Sequence, residues 1–288
     1  MPTVRDVLNF VKIEHSVFAL PFVYVGALLA AGGLPAWSDL AWMTLAAVGA
    51  RGAAFGFNRV IDKAVDAMNP RTARREMPRG AITTPFALGL TAAFLAVYLG
   101  SAWMLNDLAF RLAPAVIPFL VFYPYTKRFT WTCHFWLGLP FGVAPMGGWI
   151  AVTGAFPMPL EEPVPWLLAF AAGLWVAGFD ILYALLDMNF DRRHRIHSIP
   201  ADFSETVALR TSEALHLLTW LALGAVYFFA DVGPVYVAGW GLVGMLLMYE
   251  HVIVNPEDEK TIHKAFFTMN GLTSFAYLAA VAVDLFSL

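Results

Sequence analysis

Two stretches of the chain carry polar side chains at helical spacing. The first is FNRVIDKAVDAMNPRTARREMP (57–78), and the second is FDILYALLDMNFDRRHRIHS (179–198). At about 100° per residue, the polar groups at the start of each stretch lie within about 80° of arc, which is one stripe of a helix. The residues concerned are Asn58, Asp62 and Asp66 in the first stretch and Asp180, Tyr183, Asp187 and Asp191 in the second.

Carboxylates stacked on one stripe repel each other, and in or beside a membrane they also need compensation. A divalent cation supplies it. Mg²⁺ prefers oxygen ligands and is typically held by one or two carboxylates together with the phosphate oxygens of a substrate. A single aspartate at a helix end is usually a cap or a solvated residue, so the prediction rests on the pair of clusters. The predicted magnesium ligands are Asn58, Asp62, Asp66, Asp187 and Asp191.

Basic residues lie near the acidic clusters. If the magnesium ions hold the diphosphate group of a substrate, these residues would neutralise its remaining negative charge. Arg71 and Arg75 follow the first cluster, and Lys127 and Arg128 lie in a connection between two apolar stretches. Arg51 lies about two helical turns before the first cluster. It either pairs with Asp62 for structural reasons or binds an anionic group of a substrate through its planar fork.

The elements that carry these residues are membrane helices. Apolar residues make up 59% of the 288-residue chain, and the mean hydropathy is +0.65. Runs of about 20 apolar residues, enough to cross a bilayer as a helix, recur along the chain. We predict an all-α protein, one domain over residues 1–288, with nine transmembrane helices around a central cavity. The predicted spans are 16–34, 39–57, 83–105, 108–124, 132–153, 165–186, 209–230, 233–253 and 264–286.

The basic residues predict the orientation, because Lys and Arg beside membrane spans stay on the cytoplasmic side. With the N-terminus inside, all of the 18 Lys and Arg residues except Arg111 fall on the inner side or at inner helix ends. We therefore expect a protein of the cell (inner) membrane whose cavity opens to the cytoplasm. Nucleic acid is not an expected partner, since the charges border a lipid bilayer and no soluble domain is present. One cysteine, Cys133, excludes an internal disulfide and a thiolate metal cluster.

Four motifs together resemble the UbiA superfamily of intramembrane prenyltransferases. Two are similar to its aspartate-rich motifs, one to the basic tail of the first of these, and one to its Tyr-Pro, Lys-Arg, Thr loop. The matches occur in the family's order and extend over about residues 10–275. The motifs are NRVIDKAVD (58–66), RTARREMPRG (71–80), YPYTKRFTWTCHFWLG (123–138) and DILYALLDMNFD (180–191).

Two further segments are most similar to the 4-hydroxybenzoate polyprenyltransferase-like branch, some members of which are implicated in menaquinone synthesis by the futalosine route. They are KIEHSVFALPF (12–22) and FDRRHRIHSIP (190–200). The chain departs from the family pattern where Cys133 and His134 stand in place of a usual Pro-Gln. This departure lies on the acceptor side, so it bears on which acceptor is used.

The resemblance implies Mg²⁺, a polyprenyl diphosphate donor and an aromatic carboxylate acceptor such as 4-hydroxybenzoate or 1,4-dihydroxy-6-naphthoate. It implies that the aspartates and Asn58 hold Mg²⁺, while Lys127 and Arg128, with Arg71 and Arg75, bind the diphosphate. On this hypothesis Arg51 orients the acceptor carboxylate. Tyr183 and Asp180 line the substrate site, and either Asp191 or released diphosphate removes the ring proton.

Two alternatives remain open at this stage. The protein could transfer a prenyl group to another acceptor, namely a haem, a chlorin or a lipid. The protein could instead be an ion-coupled transporter, because buried charge in a helix bundle also marks ion pathways. A transporter site usually lies near mid-membrane at broken helices, whereas these acidic groups are expected at the cytoplasmic helix ends.

Other polar residues have a structural explanation. We expect His15 to be a satisfied polar residue at the inner end of the first span. Glu250 and His251, with residues 255–260, are expected to form a solvated loop between the last two spans.

Overall fold

The computed structural model describes residues 2–12 and 16–287, with side chains given from residue 20 onward in the second range. His15 lies outside the described residues. All regular secondary structure in the described part is helical, as predicted. The helices are α1 (Val4–Val11), α2 (Ser16–Ala31), α3 (Trp37–Ile61), α4 (Lys63–Met68), α5 (Thr84–Leu105), α6 (Asp107–Thr126), α7 (Cys133–Thr153), α8 (Pro163–Ala184), α9 (Met188–His194), α10 (Ile199–Asp202), α11 (Glu205–Val226), α12 (Pro234–Ile253), α13 (Glu259–His263) and α14 (Asn270–Ser287).

Long helices occupy all nine predicted spans within the described residues. Seven of the described helical stretches are both long and apolar enough to cross a membrane. The first predicted span contributes only the shorter apolar stretch Leu20–Ala31. Helix α11 is not among the seven, and its first half carries Glu205, Arg210 and Glu213. The all-helical, membrane-spanning architecture is therefore present, and the number of crossings stays a prediction.

The long helices pack mainly on their neighbours in the chain. Successive long helices pack on each other, from α3 to α5, α5 to α6, α6 to α7, α7 to α8, α8 to α11, α11 to α12, and α12 to α14. Helix α2 completes the arrangement by packing on α7, α14 and α3. The largest buried cluster, which includes Phe22, Trp175, Phe179 and Tyr277, joins α2, α8 and α14.

Glycine allows α2 and α7 to approach closely. A Cβ atom at Gly26 would lie 2.0 Å from the Pro145 carbonyl oxygen, and one at Gly148 would lie 2.0 Å from the Val23 carbonyl oxygen. Small residues permit such backbone contact between membrane helices, where packing replaces the hydrophobic effect. The contact fixes α7, whose first turn carries His134, against the centre of the bundle.

Both predicted polar stripes cross an interruption in their helix. Helix α3 ends at Ile61 and α4 begins at Lys63, so that Asp62 forms the junction. A short 3₁₀ turn, Leu185–Asp187, separates α8 from α9. The predicted stripes therefore do not lie on uninterrupted α-helices, because Asp62 and Asp187 depart from regular α-helical backbone geometry. As a result, α4 and α9 are separate short helices at one end of the bundle.

The expectation of a solvated loop at Glu250 and His251 is wrong. Both residues lie in the last turn of α12, and Glu250 is fully buried. Asn270 donates to Glu250 Oε1 at 3.0 Å, and Nδ1 of the buried His216 lies 3.0 Å from His251 Nε2. The polar residues around positions 250–260 predicted exposure to solvent, but the packing of α12 against α11 and α14 encloses the Glu250 and His251 side chains.

Candidate active site

A polar cavity of about 190 Å³ opens at the end of the bundle where both acidic clusters lie. Its walls come from the ends of α3 and α6, from α4, from the start of α7, and from α8 and α9. Most of the predicted site residues line it. They are Asn58, Asp62, Asp66, Arg71, Arg75, Lys127, Asp180, Tyr183, Asp187 and Asp191. Arg51 and Arg128 are not among the lining residues.

Asp62 is held by the loop between α6 and α7. Lys127 Nζ lies 2.5 Å from Asp62 Oδ2, and Arg128 Nη2 lies 3.8 Å from Oδ1. Asn58 Nδ2 also donates to Oδ2 at 3.1 Å. Burial raises the pKa of Asp62, and Lys127 opposes that rise only in part. Because Oδ1 accepts no hydrogen bond from the described residues, this carboxylate retains a buried coordination position.

Asp66 is the carboxylate of α4. Arg75 Nη1 contacts both of its oxygens, at 2.8 and 3.0 Å, and the buried Arg59 lies 3.8 Å away. Thr72 donates to the Asp66 carbonyl at 2.9 Å, which folds the following loop back over α4. This return brings Arg75 to the cavity, although nine positions separate it from its partner.

Asp187 joins the two acidic segments. Arg71 Nε donates to Asp187 Oδ1 at 2.8 Å, and Arg71 Nη2 donates to Oδ2, which makes the pair bidentate. Asn69 adds a third hydrogen bond at 2.8 Å. Burial alone would lower the pKa of Arg71, but the hydrogen bonds and charge of Asp187 outweigh it and raise that pKa. Tyr183 completes the contact by accepting from Arg71 Nη1 at 3.2 Å.

Asp180 has a different kind of partner. His134 Nδ1 lies 2.7 Å from Asp180 Oδ2. The other ring nitrogen of His134 accepts from the backbone N–H of Ile199 at 3.3 Å. The histidine is 2% exposed and also lines the cavity.

Arg51 does not pair with Asp62, so the structural alternative for this arginine is wrong. Its guanidinium lies 4.8 Å from the Phe55 ring centroid and 4.7 Å from that of Phe141. Arg51 Nε is buried and makes no hydrogen bond to any described residue. The physical reason is that Lys127 and Arg128 already neutralise Asp62, while two aromatic faces stabilise a cation at the deeper position.

The carboxylates suit a metal that shares its coordination with a substrate. In the described part of the chain, no three His, Cys, Asp or Glu side chains are grouped closely enough to form a complete metal site. Asp62 Oδ1 has an open buried position. The buried Asp191 carboxylate makes no hydrogen bond or ion pair with a described residue. Mg²⁺ keeps waters and substrate oxygens in its shell, so a few carboxylate oxygens beside an anion site fit it.

Several residues that shape the cavity were not predicted as site residues. Asn69 binds Asp187, Tyr123 accepts from Asn58 Nδ2 at 3.1 Å, and His134 binds Asp180. Each lies within or beside a motif that was considered. The sequence signal for His134 is its departure from the usual Pro-Gln, which indicates a difference in acceptor but does not predict the contact with Asp180.

Comparison with known proteins adds an independent result. Residues 19–272 match the model of the UbiA prenyltransferase family. The chain is 31% identical over 254 residues to a 4-hydroxybenzoate octaprenyltransferase of Xanthomonas campestris pv. campestris, covering 88% of this chain and 82% of the relative.

Two solved structures have a similar fold. A UbiA homologue from Aeropyrum pernix superposes with a TM-score of 0.84 at 34% identity, over 94% of this chain and 98% of the other. A UbiA homologue from Archaeoglobus fulgidus, solved with GPP and Mg²⁺, has a TM-score of 0.75 at 19% identity, over 98% and 100% of the two chains. At that lower identity the second likeness shows the fold alone.

Proposed function

Because this chain belongs to the UbiA prenyltransferase family, we propose that it transfers a polyprenyl group from a polyprenyl diphosphate to an aromatic hydroxy acid. The acceptor is of the 4-hydroxybenzoate or 1,4-dihydroxy-6-naphthoate type, and the product enters quinone biosynthesis. The name of the Xanthomonas relative supports an aromatic acceptor.

The observation that carries the proposal is the convergence of the two acidic segments on one cavity. Arg71 and Asn69, which follow the first cluster, bind Asp187 of the second cluster across more than 110 residues of sequence. Cations and carboxylates of both segments therefore face the same space. Such a mixed set suits a metal diphosphate, since the carboxylates hold the metal and the cations hold the phosphate oxygens.

Mg²⁺ is the proposed cofactor, and Asn58, Asp62, Asp66, Asp187 and Asp191 would hold it. When bound, it would supply Lewis-acid stabilisation of the charge that develops on the diphosphate. The A. fulgidus homologue, which shares the fold, was solved with GPP and Mg²⁺. In this chain, Asp62 Oδ1 accepts no hydrogen bond from a described residue, so it has a coordination position for Mg²⁺.

The basic residues have a second role when the donor binds. Lys127, Arg71 and Arg75 each contact a cavity carboxylate in the described structure. We propose that they turn to the phosphate oxygens as the carboxylates engage the metal, so that charge stays balanced in both states. These cations, with Arg128 beside Asp62, then stabilise the leaving diphosphate while the allylic C–O bond breaks.

In this proposal the acceptor extends from the cavity toward Arg51, which lies deeper in α3 and does not line the cavity in the described structure. Arg51 presents an unpaired Nε between two aromatic rings, which suits the carboxylate of an aromatic acid. Tyr183 lines the cavity beside the allyl cation, and the electron-rich acceptor ring attacks that cation at carbon. The apolar bundle keeps water from capturing the cation. The ring proton then passes to a base, for which Asp191 or released diphosphate is available.

The membrane arrangement follows from the same proposal. We propose nine crossings, with the cytoplasmic N-terminus and the cavity facing the cytoplasm of the cell membrane. The clustering of basic residues at the cavity end supports this orientation. A water-soluble acceptor and Mg²⁺ would then reach the site directly, while the polyprenyl tail lies among the apolar helices.

The test uses the purified protein in lipid nanodiscs with one polyprenyl diphosphate. The protein is given 4-hydroxybenzoate or 1,4-dihydroxy-6-naphthoate, with Mg²⁺ or with excess EDTA, and prenylated products are identified by mass spectrometry. We expect a C-prenylated product from at least one acceptor in the presence of Mg²⁺ and none with EDTA. Failure of both aromatic acids under conditions where another acceptor class is prenylated would reject the aromatic acceptor and keep the transfer chemistry.

A further inference from the structure

The His134–Asp180 pair sets one cavity carboxylate apart from the others. Asp62, Asp66 and Asp187 each form an ion pair with a lysine or an arginine. Within the described residues, Asp180 has no lysine or arginine partner and is hydrogen-bonded to His134. Asp191 also lacks a described lysine or arginine partner, but of the cavity aspartates only Asp180 is held by a histidine. This neutral hydrogen-bond partner distinguishes the role of Asp180 from that of the donor-binding set.

The hydrogen bonds of His134 determine how its ring is protonated. The backbone N–H of Ile199 can only donate, so His134 Nε2 accepts at 3.3 Å. Nδ1 therefore carries the proton and donates it to Asp180 Oδ2 at 2.7 Å. With both nitrogens engaged and the ring 2% exposed, His134 acts on its neighbour and is not available to substrate.

Asp180 keeps one oxygen for another partner. Its side chain is 27% exposed and lines the cavity. Oδ2 is bound to His134, whereas Oδ1 accepts no hydrogen bond from the residues that the structure describes. A carboxylate oxygen held in this way is a strong hydrogen-bond acceptor for a hydroxyl group.

The position of Asp180 places it on the acceptor side. Asp180 and Tyr123 both line the cavity. Asn58 Nδ2 donates at 3.1 Å to the Tyr123 hydroxyl and at 3.1 Å to Asp62 Oδ2. Asp180 lies about two helical turns before Asp187, and Arg51 lies about two turns before Asn58, so both lie deeper in the bundle than the donor-binding carboxylates. Asp180 offers a hydrogen-bond acceptor inside the cavity, and Arg51 offers a cation in α3 beyond the cavity lining.

We propose that Asp180 Oδ1 accepts a hydrogen bond from the hydroxyl of the aromatic acceptor, and that His134 is the positioning residue that holds Asp180 for this contact. The inference rests on the proposed function and adds a specificity element to it. The pair would select aromatic acids that carry a hydroxyl over the same acids without one, because an unmet polar partner in a closed site costs binding energy.

The experiment compares each productive acceptor with its analogue lacking the hydroxyl group. Benzoate is 4-hydroxybenzoate without its one hydroxyl, and 2-naphthoate is the naphthoate acceptor without both of its hydroxyls. The discrimination ratio is the analogue's inhibition constant divided by the acceptor KM. A hydrogen bond to a charged group supports a ratio of about tenfold or more in the wild-type protein. His134→Leu and Asp180→Asn are each expected to lower this ratio toward one, with the donor KM unchanged.

His134→Gln separates positioning from simple packing. A glutamine amide can donate to Asp180 and accept from Ile199, so this variant is expected to retain most of the discrimination. His216→Leu is the matched control, because His216 is equally buried at 2% exposure and does not line the cavity. It is expected to reduce thermal stability and leave the ratio unchanged.

The outcomes distinguish this inference from the proposed function. Absence of product from either aromatic acid in the wild-type protein rejects the proposed function itself. An active wild-type protein whose ratio is unaffected by Asp180→Asn and His134→Leu rejects the pair as a hydroxyl-binding element. Equal loss in the glutamine and leucine variants, or a rise in donor KM, also overturns the positioning role.

Discussion

The Arg71–Asp187 ion pair should be strongly coupled energetically, because it connects two distant segments in a partly closed site. Two parallel hydrogen bonds link the side chains, and Asn69 donates a third to the same carboxylate. The side chains are 23% and 19% exposed, so water screens the pair only in part. Hydrogen bonds to charged groups contribute about 1.5–3 kcal/mol each in net terms. With partial screening, we expect a coupling free energy of about 2 kcal/mol.

A double-mutant cycle measures this coupling directly. The variants are Arg71→Met, Asp187→Asn and the double variant. The free energy of unfolding is obtained by titrating the purified protein in mixed micelles with SDS and following tryptophan fluorescence. Arg71→Met alone is expected to lower the free energy of unfolding by more than the coupling free energy. It leaves the partly buried Asp187 carboxylate charged, with Asn69 as its remaining hydrogen-bond donor. In the double variant most of that penalty should disappear.

The chain offers a matched control on its surface. Arg210 and Glu213 form an ion pair at 2.7 Å, but their side chains are 75% and 41% exposed. The corresponding cycle should give about 0.5 kcal/mol or less. If the Arg71–Asp187 coupling is no larger than this control, burial and bidentate geometry do not have the effect assigned to them. Convergence of the two acidic segments would then not depend on this contact.

Three further predictions concern turnover and packing. Asp62→Asn should lower kcat by at least about 100-fold, because it weakens the metal and diphosphate site, and near-normal turnover would remove Asp62 from that site. Arg51→Lys should raise the acceptor KM by about tenfold and leave the donor KM unchanged, because an ammonium group lacks the planar fork; an unchanged acceptor KM would count against acceptor binding. Gly148→Leu should destabilise the protein by about 2 kcal/mol or more, because even its Cβ would lie 2.0 Å from the Val23 carbonyl oxygen; a stability equal to that of wild type would contradict the close α2–α7 contact.

The local sequence was a good guide where one segment suffices to determine the outcome. Apolar runs predicted the long helices because a helix satisfies its own backbone hydrogen bonds in lipid. Spacing of Asp62 and Asp66 on one face, and of Asp187 and Asp191 on another, predicted two polar clusters. Both clusters line the cavity. The sequence did not reveal the helix breaks at Asp62 and before α9, since these depend on how the short helices pack at the bundle end.

The sequence did not predict which cation pairs with which carboxylate. Arg51 and Asp62 are close to the same helical stripe, yet Arg51 lies between Phe55 and Phe141 while Lys127 pairs with Asp62. Glu250 looked like a solvent residue next to a charged loop, but neighbouring helices bury it. In both cases the competing groups come from other helices, so local periodicity contains no information about them.

The sequence by itself determined the membrane-helix class, the family and the two sets of carboxylates, because hydropathy, helical period and motif order are properties of contiguous residues. Only the tertiary structure decided which cation meets which carboxylate, that Asn69 and Arg71 bind Asp187, and that His134 binds Asp180. Those contacts join residues more than 40 positions apart. Their formation depends on how the helices pack, and ion pairing and burial are then decided by distance in space.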